Sequence, residues 1–217
     1  MTPQSTPREA LYLETGLIEA VTQIKANRIM HYLKTNKKPN TLTNNIIQQE
    51  QQTKWQKETL KILQEYELDD HDITNTNPHR ARQLVKNATR KKFKDDTLNA
   101  GNNKSKINYL IENSGPDLFF TMKGYMTNLT RLEASTLFKT RSRMLDVKTN
   151  YKNKYRDQQC RKCNLSEETQ QHILEECPEI HQDNSLITPE HKDFGSSIIL
   201  NRIAAKKILQ IMENLQT

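Results

Sequence analysis

The stretch CRKCNLSEETQQHILEEC, residues 160–177, contains all three cysteines of the 217-residue chain. Two residues separate Cys160 from Cys163, eight separate Cys163 from His172, and four separate His172 from Cys177. Because Zn²⁺ favours four thiolate or imidazole ligands in a tetrahedral array, this spacing predicts one zinc ion held by these four residues. No ligand position is left open for a catalytic water, so the predicted ion is structural.

Two other interpretations of this stretch stay open. Three cysteines cannot all pair within one chain, which favours a metal site over disulfides, but the thiols can also be unrelated to one another and to the histidine. His181 offers a second imidazole nearby, so it can replace His172 or Cys177 as the fourth ligand.

The residues between the cysteines predict a short helix. Ser166 is a candidate N-cap residue, and a helix that starts there carries His172 toward the metal and ends at Cys177. A metal-binding histidine usually donates its second ring N–H to an acceptor, and either Asp157 or Glu175 can supply one.

The composition of the whole chain favours helices. Only 34% of its residues are apolar, and five glycines and seven prolines are too few for the closely spaced turns of an all-β fold. The sequence has no run of 18 apolar residues, and its first eight residues are polar. We therefore expect a mainly α-helical intracellular protein, nuclear or cytoplasmic, with a thin core and no membrane partner.

Helical periodicity and capping patterns place the elements. Helices are predicted from Thr6 to an interruption at Gly16, from Ile18 to about Lys37, from Trp55 to Tyr66, from Pro78 onward, from Thr130 to Leu145, and from Leu200 to Leu215. Asn40–Gln52 is either a loop or a weakly packed helix, Asp69–Asn77 is predicted to be a connection, and residues 100–128 have no regular pattern.

The predicted fold is an irregular multi-helix domain with a small CCHC zinc knuckle near the C-terminus. Three segments are expected: a helical region at 1–128, a basic helix with the knuckle at 129–182, and a linker with an amphipathic helix at 183–217. The closing helix is expected to pack through one face against the core or a partner. That face contains Leu200, Ile203, Ala204, Ile208, Ile211, Met212 and Leu215.

Charge is segregated along the chain, whose net charge is +7. Residues 139–162 contain nine Lys or Arg and two Asp, and residues 80–94 contain seven Lys or Arg and no acid. Residues 164–193, in contrast, contain eight Asp or Glu and one Lys. Such segregation suits a polyanionic partner, although charged runs are also typical of solvated helix faces.

The basic stretch that leads into the knuckle also contains tyrosines. Cations interleaved with aromatic rings are typical of surfaces that contact phosphates and stack on nucleobases. Nucleic acid, either RNA or DNA, is therefore the predicted partner. The predicted contacts in this stretch are Lys148, Tyr151, Lys152, Lys154, Arg156, Arg161 and Lys162.

Three parts of the sequence have a familiar order and spacing. They are TPREALYLETGLI at 6–18, LFKTRSRMLDVKTNYK at 137–152, and the cysteine-histidine set with EET at 167–169 and HIL at 172–174. Together they resemble the C-terminal, post-polymerase region of non-LTR (LINE-like) retrotransposon reverse transcriptases. The resemblance implies a knuckle that binds nucleic acid during target-primed reverse transcription. Carried over, it implies Cys160, Cys163, His172 and Cys177 as ligands and Arg141, Arg143, Lys148 and Lys152 as backbone contacts.

The chain lacks the chemistry of a complete polymerase. A polymerase palm holds two Mg²⁺ ions with carboxylates between apolar strands, whereas Asp69, Asp70 and Asp72 lie in a polar stretch. The sequence also has no phosphate-binding glycine-rich loop, HExxH helix or GxSxG elbow. We therefore expect a noncatalytic nucleic-acid-binding fragment or derivative of such a reverse transcriptase. The alternatives are a domesticated subunit that docks into a larger nuclear nucleic-acid-processing complex through its C-terminal helix, and a residual nucleotidyl transferase built on the three aspartates.

Overall fold

A computed structural model describes residues 8–36, 53–102, 104–112, 119–181 and 197–216. Within these ranges the chain is mainly helical, as predicted, and its β pairing is limited to one isolated antiparallel bridge between Gln159 and Glu167. No helix in the described ranges is both long enough and apolar enough to cross a bilayer. The helices are α1 (Arg8–Thr15), α2 (Ala20–Asn36), α3 (Lys54–Glu65), α4 (Asp70–Asn75), α5 (Pro78–Asn102), α6 (Ser105–Glu112), α7 (Gly124–Asn128), α8 (Arg131–Arg141) and α9 (Ile198–Asn214), with a 3₁₀ turn at Lys148–Asn150 and a π turn at His172–Glu176.

The chain forms two compact units. One combines the residues up to Leu17 with those from Ala100 to the end, and the other is Ile18–Asn99. The three segments expected from the sequence follow chain order and do not coincide with these units, because α1 packs on α6 from a distant part of the chain.

The 18–99 unit is built around α2, which packs on α3 and α4. A capping box starts α3: the Thr53 hydroxyl accepts from the Gln56 N–H, and the Gln56 side chain accepts from the Thr53 N–H. Arg28 of α2 donates to Thr59 Oγ1 at 3.0 Å and to the Trp55 carbonyl at 2.9 Å, which fixes α2 against α3. The apolar core cluster of this unit consists of the buried residues Ala26, Ile29, Tyr32, Leu33, Leu63, Tyr66, Ile73, Ala81 and Val85.

The segment Asp69–Asn77 contains a short helix, so its prediction as a connection was wrong. The Asp69 carboxylate caps α4 by accepting from the Asp72 N–H at 2.9 Å. Ile73 is the apolar anchor of this helix and is only 1% exposed. One apolar residue among polar neighbours carries no periodicity, which is why the sequence did not reveal the helix.

Two helices end at residues in the left-handed backbone region, Glu67 (φ 55°) after α3 and Arg143 (φ 52°) after α8. At the end of α8, the Arg143 N–H donates to the Thr140 carbonyl and the Met144 N–H donates to the Lys139 carbonyl. This pair of bonds is a Schellman motif, which stops a helix. It explains why α8 is shorter than the sequence predicted.

The other unit contains α1, α6, α7, α8, α9 and the cysteine-histidine region. Gly16 ends α1 as predicted, with φ +69°, and a Cβ there would lie 2.7 Å from the Thr121 backbone. The Gly16 N–H donates to the Tyr12 carbonyl at 2.9 Å. The predicted helix start at Thr6 and the uncertain stretch Asn40–Gln52 lie outside the described residues.

The closing helix α9 packs mainly on α8. Most of its predicted face lies in the core: Ala204, Ile208 and Leu215 are buried, and Ile211 and Met212 pack against the same core. Ala204 and Ala205 are buried, whereas Leu200 and Ile203 are 53% and 44% exposed. Small side chains at the contact let the two helix axes approach closely. Apolar side chains lie all around the first turns of α9, so the sequence pattern alone did not identify which of them face α8.

Candidate metal centre

The four predicted ligands converge on one point. The Sγ atoms of Cys160, Cys163 and Cys177 and a ring nitrogen of His172 all lie within 4.8 Å of one another. Cys160 Sγ lies 3.8 Å from Cys177 Sγ, and His172 Nε2 lies 3.2 Å from Cys163 Sγ. Zn–S bonds of about 2.3 Å at a tetrahedral angle separate two sulfurs by about 3.8 Å and a sulfur from a nitrogen by about 3.5 Å. The cluster can therefore hold a metal ion with small adjustments of the side chains.

The first two cysteines lie in a small hairpin. Gln159 and Glu167 form the antiparallel bridge, and the Cys160 N–H donates to the Ser166 carbonyl at 2.8 Å. Asn164 turns the chain with φ 54°, a left-handed conformation that asparagine tolerates better than most residues. Ser166 thus belongs to the hairpin, and its prediction as a helix N-cap was wrong.

The other two ligands come from the π turn that follows. The Thr169 hydroxyl accepts from the His172 N–H at 2.9 Å, so Thr169 supplies the cap that was predicted at Ser166. The Cys177 N–H donates to the His172 carbonyl at 2.7 Å, a bond that spans five residues instead of four. Because this wider turn rotates Cys177 back toward His172, both side chains reach the same point. A threonine three residues before His172 was the sequence signal for the cap.

The second ring nitrogen of His172 faces a different carboxylate from the two predicted. Nδ1 lies 3.9 Å from Glu176 Oε2, which is next to the predicted Glu175. Asp157, the other predicted acceptor, instead accepts a hydrogen bond from Lys148 Nζ at 2.6 Å. At 3.9 Å the Glu176 carboxylate is beyond hydrogen-bond distance.

His181, the alternative ligand, lies outside the cluster of four. Its Nε2 is 3.1 Å from the Ile173 carbonyl oxygen. A ring nitrogen that donates to a backbone carbonyl holds the segment after Cys177 against the π turn. The geometry therefore favours His172 over His181.

The thiols differ in how readily they lose a proton. The Leu165 N–H donates to Cys163 Sγ at 3.4 Å and, with the nearby His172 ring, lowers the pKa of Cys163 to about 7. Burial raises the pKa of Cys177 to about 12. Metals bind the thiolate, so a metal ion that enters this cluster displaces thiol protons. The Leu165 N–H is already placed to stabilise the charge on one sulfur.

A buried ion pair ties the hairpin to the basic stretch before it. The Glu168 side chain is fully buried, and its Oε1 lies 2.7 Å from Arg161 Nη2. The backbone N–H groups of Arg161 and Lys148 each donate to this carboxylate at 2.9 Å. Burial alone would raise the pKa of Glu168, but these hydrogen bonds outweigh burial and lower it. Arg161 also donates to the Asp146 carbonyl at 2.9 Å. Arg161, which was predicted to contact nucleic acid, thus holds the loop before the hairpin in place.

A second buried ion pair contains Arg141. Its guanidinium is 6% exposed, and its Nε lies 3.0 and 3.2 Å from the two carboxylate oxygens of Glu14, which is fully buried. The Tyr125 hydroxyl donates to Glu14 Oε2 at 2.5 Å, and burial strongly raises the pKa of Tyr125. Arg141 thus joins α8 to α1 inside the unit, away from any surface that a nucleic acid can reach.

The remaining predicted contacts lie at or near the surface. Arg143 is exposed, and its guanidinium lies 3.7 Å from the centre of the Tyr109 ring. The Lys148 side chain is only 12% exposed and pairs with Asp157, while Lys154 Nζ lies 3.4 Å from Asp146. Lys152, Lys154 and Arg156 are also exposed, and Tyr151 and Lys162 are half-buried.

The aspartates considered as a residual catalytic site lie at the start of α4. Asp69, His71 and Asp72 are close together and exposed. Asp69 caps the helix, and Asp70 accepts a hydrogen bond from the Tyr32 hydroxyl at 3.3 Å. Asp69 thus has the ordinary role of a carboxylate at a helix N-terminus, and Asp70 helps to hold α4 against α2.

Neither the protein-family models nor the curated proteins nor the solved structures with which the chain was compared give a match. The function of this chain is therefore inferred from its own residues and their geometry.

Proposed function

We propose that Cys160, Cys163, His172 and Cys177 bind one structural zinc ion and that the chain binds nucleic acid through exposed cations on the adjacent loop. The observation that supports this proposal most directly is the convergence of four ligand atoms within 4.8 Å. Three thiolates and one imidazole suit Zn²⁺ in a tetrahedral structural site. With all four positions supplied by the protein, the ion stabilises the fold instead of activating water.

The metal by itself would not attract a polyanion. Three thiolates around Zn²⁺ leave a formal charge of −1, so the attraction has to come from the neighbouring cations. Lys152, Lys154 and Arg156 are exposed on the turn that precedes the hairpin. The Glu168 carboxylate, which lies close to this turn, is neutralised by Arg161.

The tyrosines of this turn have a smaller part in the proposal. Lys154 Nζ and the Arg161 guanidinium lie 4.7 and 5.3 Å from the centre of the Tyr155 ring. Because cations already occupy this ring, stacking on a nucleobase would have to displace them. The proposed binding is therefore mainly a contact between lysine or arginine side chains and phosphates, which is sensitive to salt and weakly dependent on sequence.

We extend the proposal to origin: the chain is a noncatalytic fragment or derivative of a non-LTR retrotransposon reverse transcriptase. The support is the resemblance over residues 137–177. Of the segments that carry the resemblance, the described residues 8–17 and 137–177 belong to one compact unit, while Ile18 belongs to the other.

One observation favours a second candidate function, a subunit that docks into a larger protein complex. Ile199, Leu200 and Ile203 at the start of α9 are 73%, 53% and 44% exposed. Adjacent exposed apolar side chains are typical of protein contact surfaces. In this alternative the zinc ion only stabilises the unit that presents α9.

The metal part of the proposal is tested by the zinc content of the full chain purified without added metal. We expect one zinc ion per chain in the unmodified protein and in His181→Ala, which serves as the matched control. Cys163→Ser and His172→Ala are expected to lose the ion, since each leaves three ligands. Zinc retained by His172→Ala and lost by His181→Ala would reassign the fourth ligand, and absence of zinc throughout would refute the metal site.

The binding part is tested by affinity for single-stranded RNA and for duplex DNA at increasing salt. Removing one cation that neutralises a phosphate reduces the slope of log K against log salt by about 0.7–0.9. Changing Lys152, Lys154 and Arg156 together to glutamine should therefore flatten the slope by about two units. The matched control changes three exposed lysines of α3, namely Lys54, Lys57 and Lys61. If neither polymer binds while zinc is present, the docking subunit becomes the better explanation.

A further inference from the structure

Helix α5 carries two parallel rows of side chains with opposite character. One row is buried and consists of residues four apart: Ala81, Val85, Thr89, Phe93 and Thr97. The residue that follows each of the first four is basic and exposed: Arg82, Lys86, Arg90 and Lys94. The buried row holds α5 in the core, and the helix geometry then orients the basic row outward along its whole length.

The basic row winds gradually around the helix, because residues four apart are offset by about 40° at 3.6 residues per turn. Residues four apart rise by about 6 Å along a helix, so the row extends over about 18 Å. Lysine and arginine at neighbouring positions of such a row repel each other, whereas solvated helix faces commonly alternate the sign of the charge. On the flank of α5, Lys91 pairs with Glu67 and Lys92 pairs with Asp96. Four cations of like sign therefore follow one another along the helix, next to the buried row.

We propose that the row Arg82, Lys86, Arg90 and Lys94 binds the phosphate backbone of a nucleic acid. B-DNA carries one phosphate per about 3.4 Å of axis on each strand, so the roughly 18 Å rise of the row matches the length of about five phosphates. An amphipathic helix binds a membrane by burying its apolar face in the lipid. That side of α5 is occupied by the core, because Val85 is 2% and Phe93 6% exposed.

This surface is independent of the candidate metal centre. The row lies within the 18–99 unit, whereas the cysteine-histidine cluster and Lys152, Lys154 and Arg156 lie in the other unit. It is a second binding surface, and neither zinc nor the loop next to the cluster is needed to form it.

The test compares two variants of the full chain with equal loss of charge in the same unit. The row variant changes Arg82, Lys86, Arg90 and Lys94 to glutamine, and the control variant changes the exposed residues Lys34, Lys54, Lys57 and Lys61 to glutamine. Affinity for a short duplex DNA is measured over roughly 50–200 mM salt. We expect the row variant to flatten the slope of log K against log salt by about three units and to weaken binding at least tenfold at low salt. The control is expected to change the slope by less than about one unit.

Several results would overturn the proposal. One is an unchanged slope of log K against log salt in the row variant, and another is an equal loss of affinity in the control variant. A third is a row variant that no longer binds phosphatidylserine vesicles but still binds DNA. If the row variant does not fold, the DNA affinities of the single variants Lys86→Glu and Lys57→Glu are compared instead, and only Lys86→Glu is expected to weaken binding. Loss of DNA binding in the row variant, together with normal binding when Lys152, Lys154 and Arg156 are changed, would support the row and refute the loop surface. Normal DNA binding in the row variant, with loss of binding when Lys152, Lys154 and Arg156 are changed, would refute the row and support the loop surface.

Discussion

Replacing Arg141 by methionine is expected to destabilise the unit that contains it. The guanidinium is 6% exposed and lies 3.0 and 3.2 Å from the carboxylate oxygens of Glu14, which is fully buried. Without Arg141 the Glu14 carboxylate stays buried with the Tyr125 hydroxyl as a donor but with no neutralising charge. Breaking one side of such a pair costs about 3–5 kcal/mol. A loss of that size lowers Tm by roughly 10 °C for a chain of this length.

The assay is urea unfolding followed by circular dichroism, with the unmodified chain, Arg141→Met and Arg131→Met compared. Arg131 is the exposed first residue of the same helix, so its change should stay within about 0.5 kcal/mol. A third variant replaces the whole trio, with Glu14→Leu, Tyr125→Phe and Arg141→Met together. We expect it to regain much of the lost stability, because apolar residues often replace a buried ion pair without net cost.

A variant Arg141→Met that is as stable as the unmodified chain would point to a different role for Arg141. If Arg141→Met unfolds at the same urea concentration as the unmodified chain but binds nucleic acid with a flatter salt dependence, Arg141 contacts phosphate, as the family resemblance implies. The buried ion pair would then be refuted.

Three further changes give measurable effects. The lowered pKa of Glu168 means that its stabilising contribution is present above the unfolded pKa of about 4.3 and is lost as the pH falls through the folded pKa. The difference in unfolding free energy between the unmodified chain and Glu168→Gln should therefore narrow on acidification, and a constant difference would contradict this. Glu67→Gly should raise stability by up to about 1 kcal/mol in urea unfolding, since it relieves a left-handed backbone. Lys61→Gly, inside α3, should lower the free energy of unfolding by about 1 kcal/mol, and an equal effect of the two changes would contradict a helix that ends before Glu67. Gly16→Ala should lower the free energy of unfolding by at least about 1–2 kcal/mol, and the urea midpoint with it, because the new Cβ meets the Thr121 backbone at 2.7 Å. An unchanged midpoint would be evidence against this close approach.

Local chemistry explains which predictions succeeded. The capping box of Thr130 and Glu133 is present, with the Glu133 N–H donating to Thr130 Oγ1 at 3.3 Å and the Thr130 N–H to Glu133 Oε2 at 3.0 Å. Helix α5 begins at Pro78, and α1 ends before Gly16. Each of these features depends on the preferences of a few neighbouring residues, which a sequence displays directly.

The sequence predicted the ligands of the metal cluster but not the turn that brings them together. Ligand type and spacing along the chain are enough to identify Cys160, Cys163, His172 and Cys177 as a set. The means by which they converge were not visible, because a π turn has no distinct residue pattern and Thr169 competes with Ser166 as a cap. A difference of a few residues in the start of a turn changes where every later side chain points.

The sequence by itself determined the helix starts marked by Thr130 and Pro78, the set of residues whose spacing suits one metal ion, and where positive charge accumulates. Only the tertiary structure decided which of those charges face solvent. Arg141 and Arg161 turn inward to Glu14 and Glu168, while Lys152 stays exposed. The physical reason is that a side chain's charge is a local property, whereas its burial and its partner depend on segments that only folding brings together.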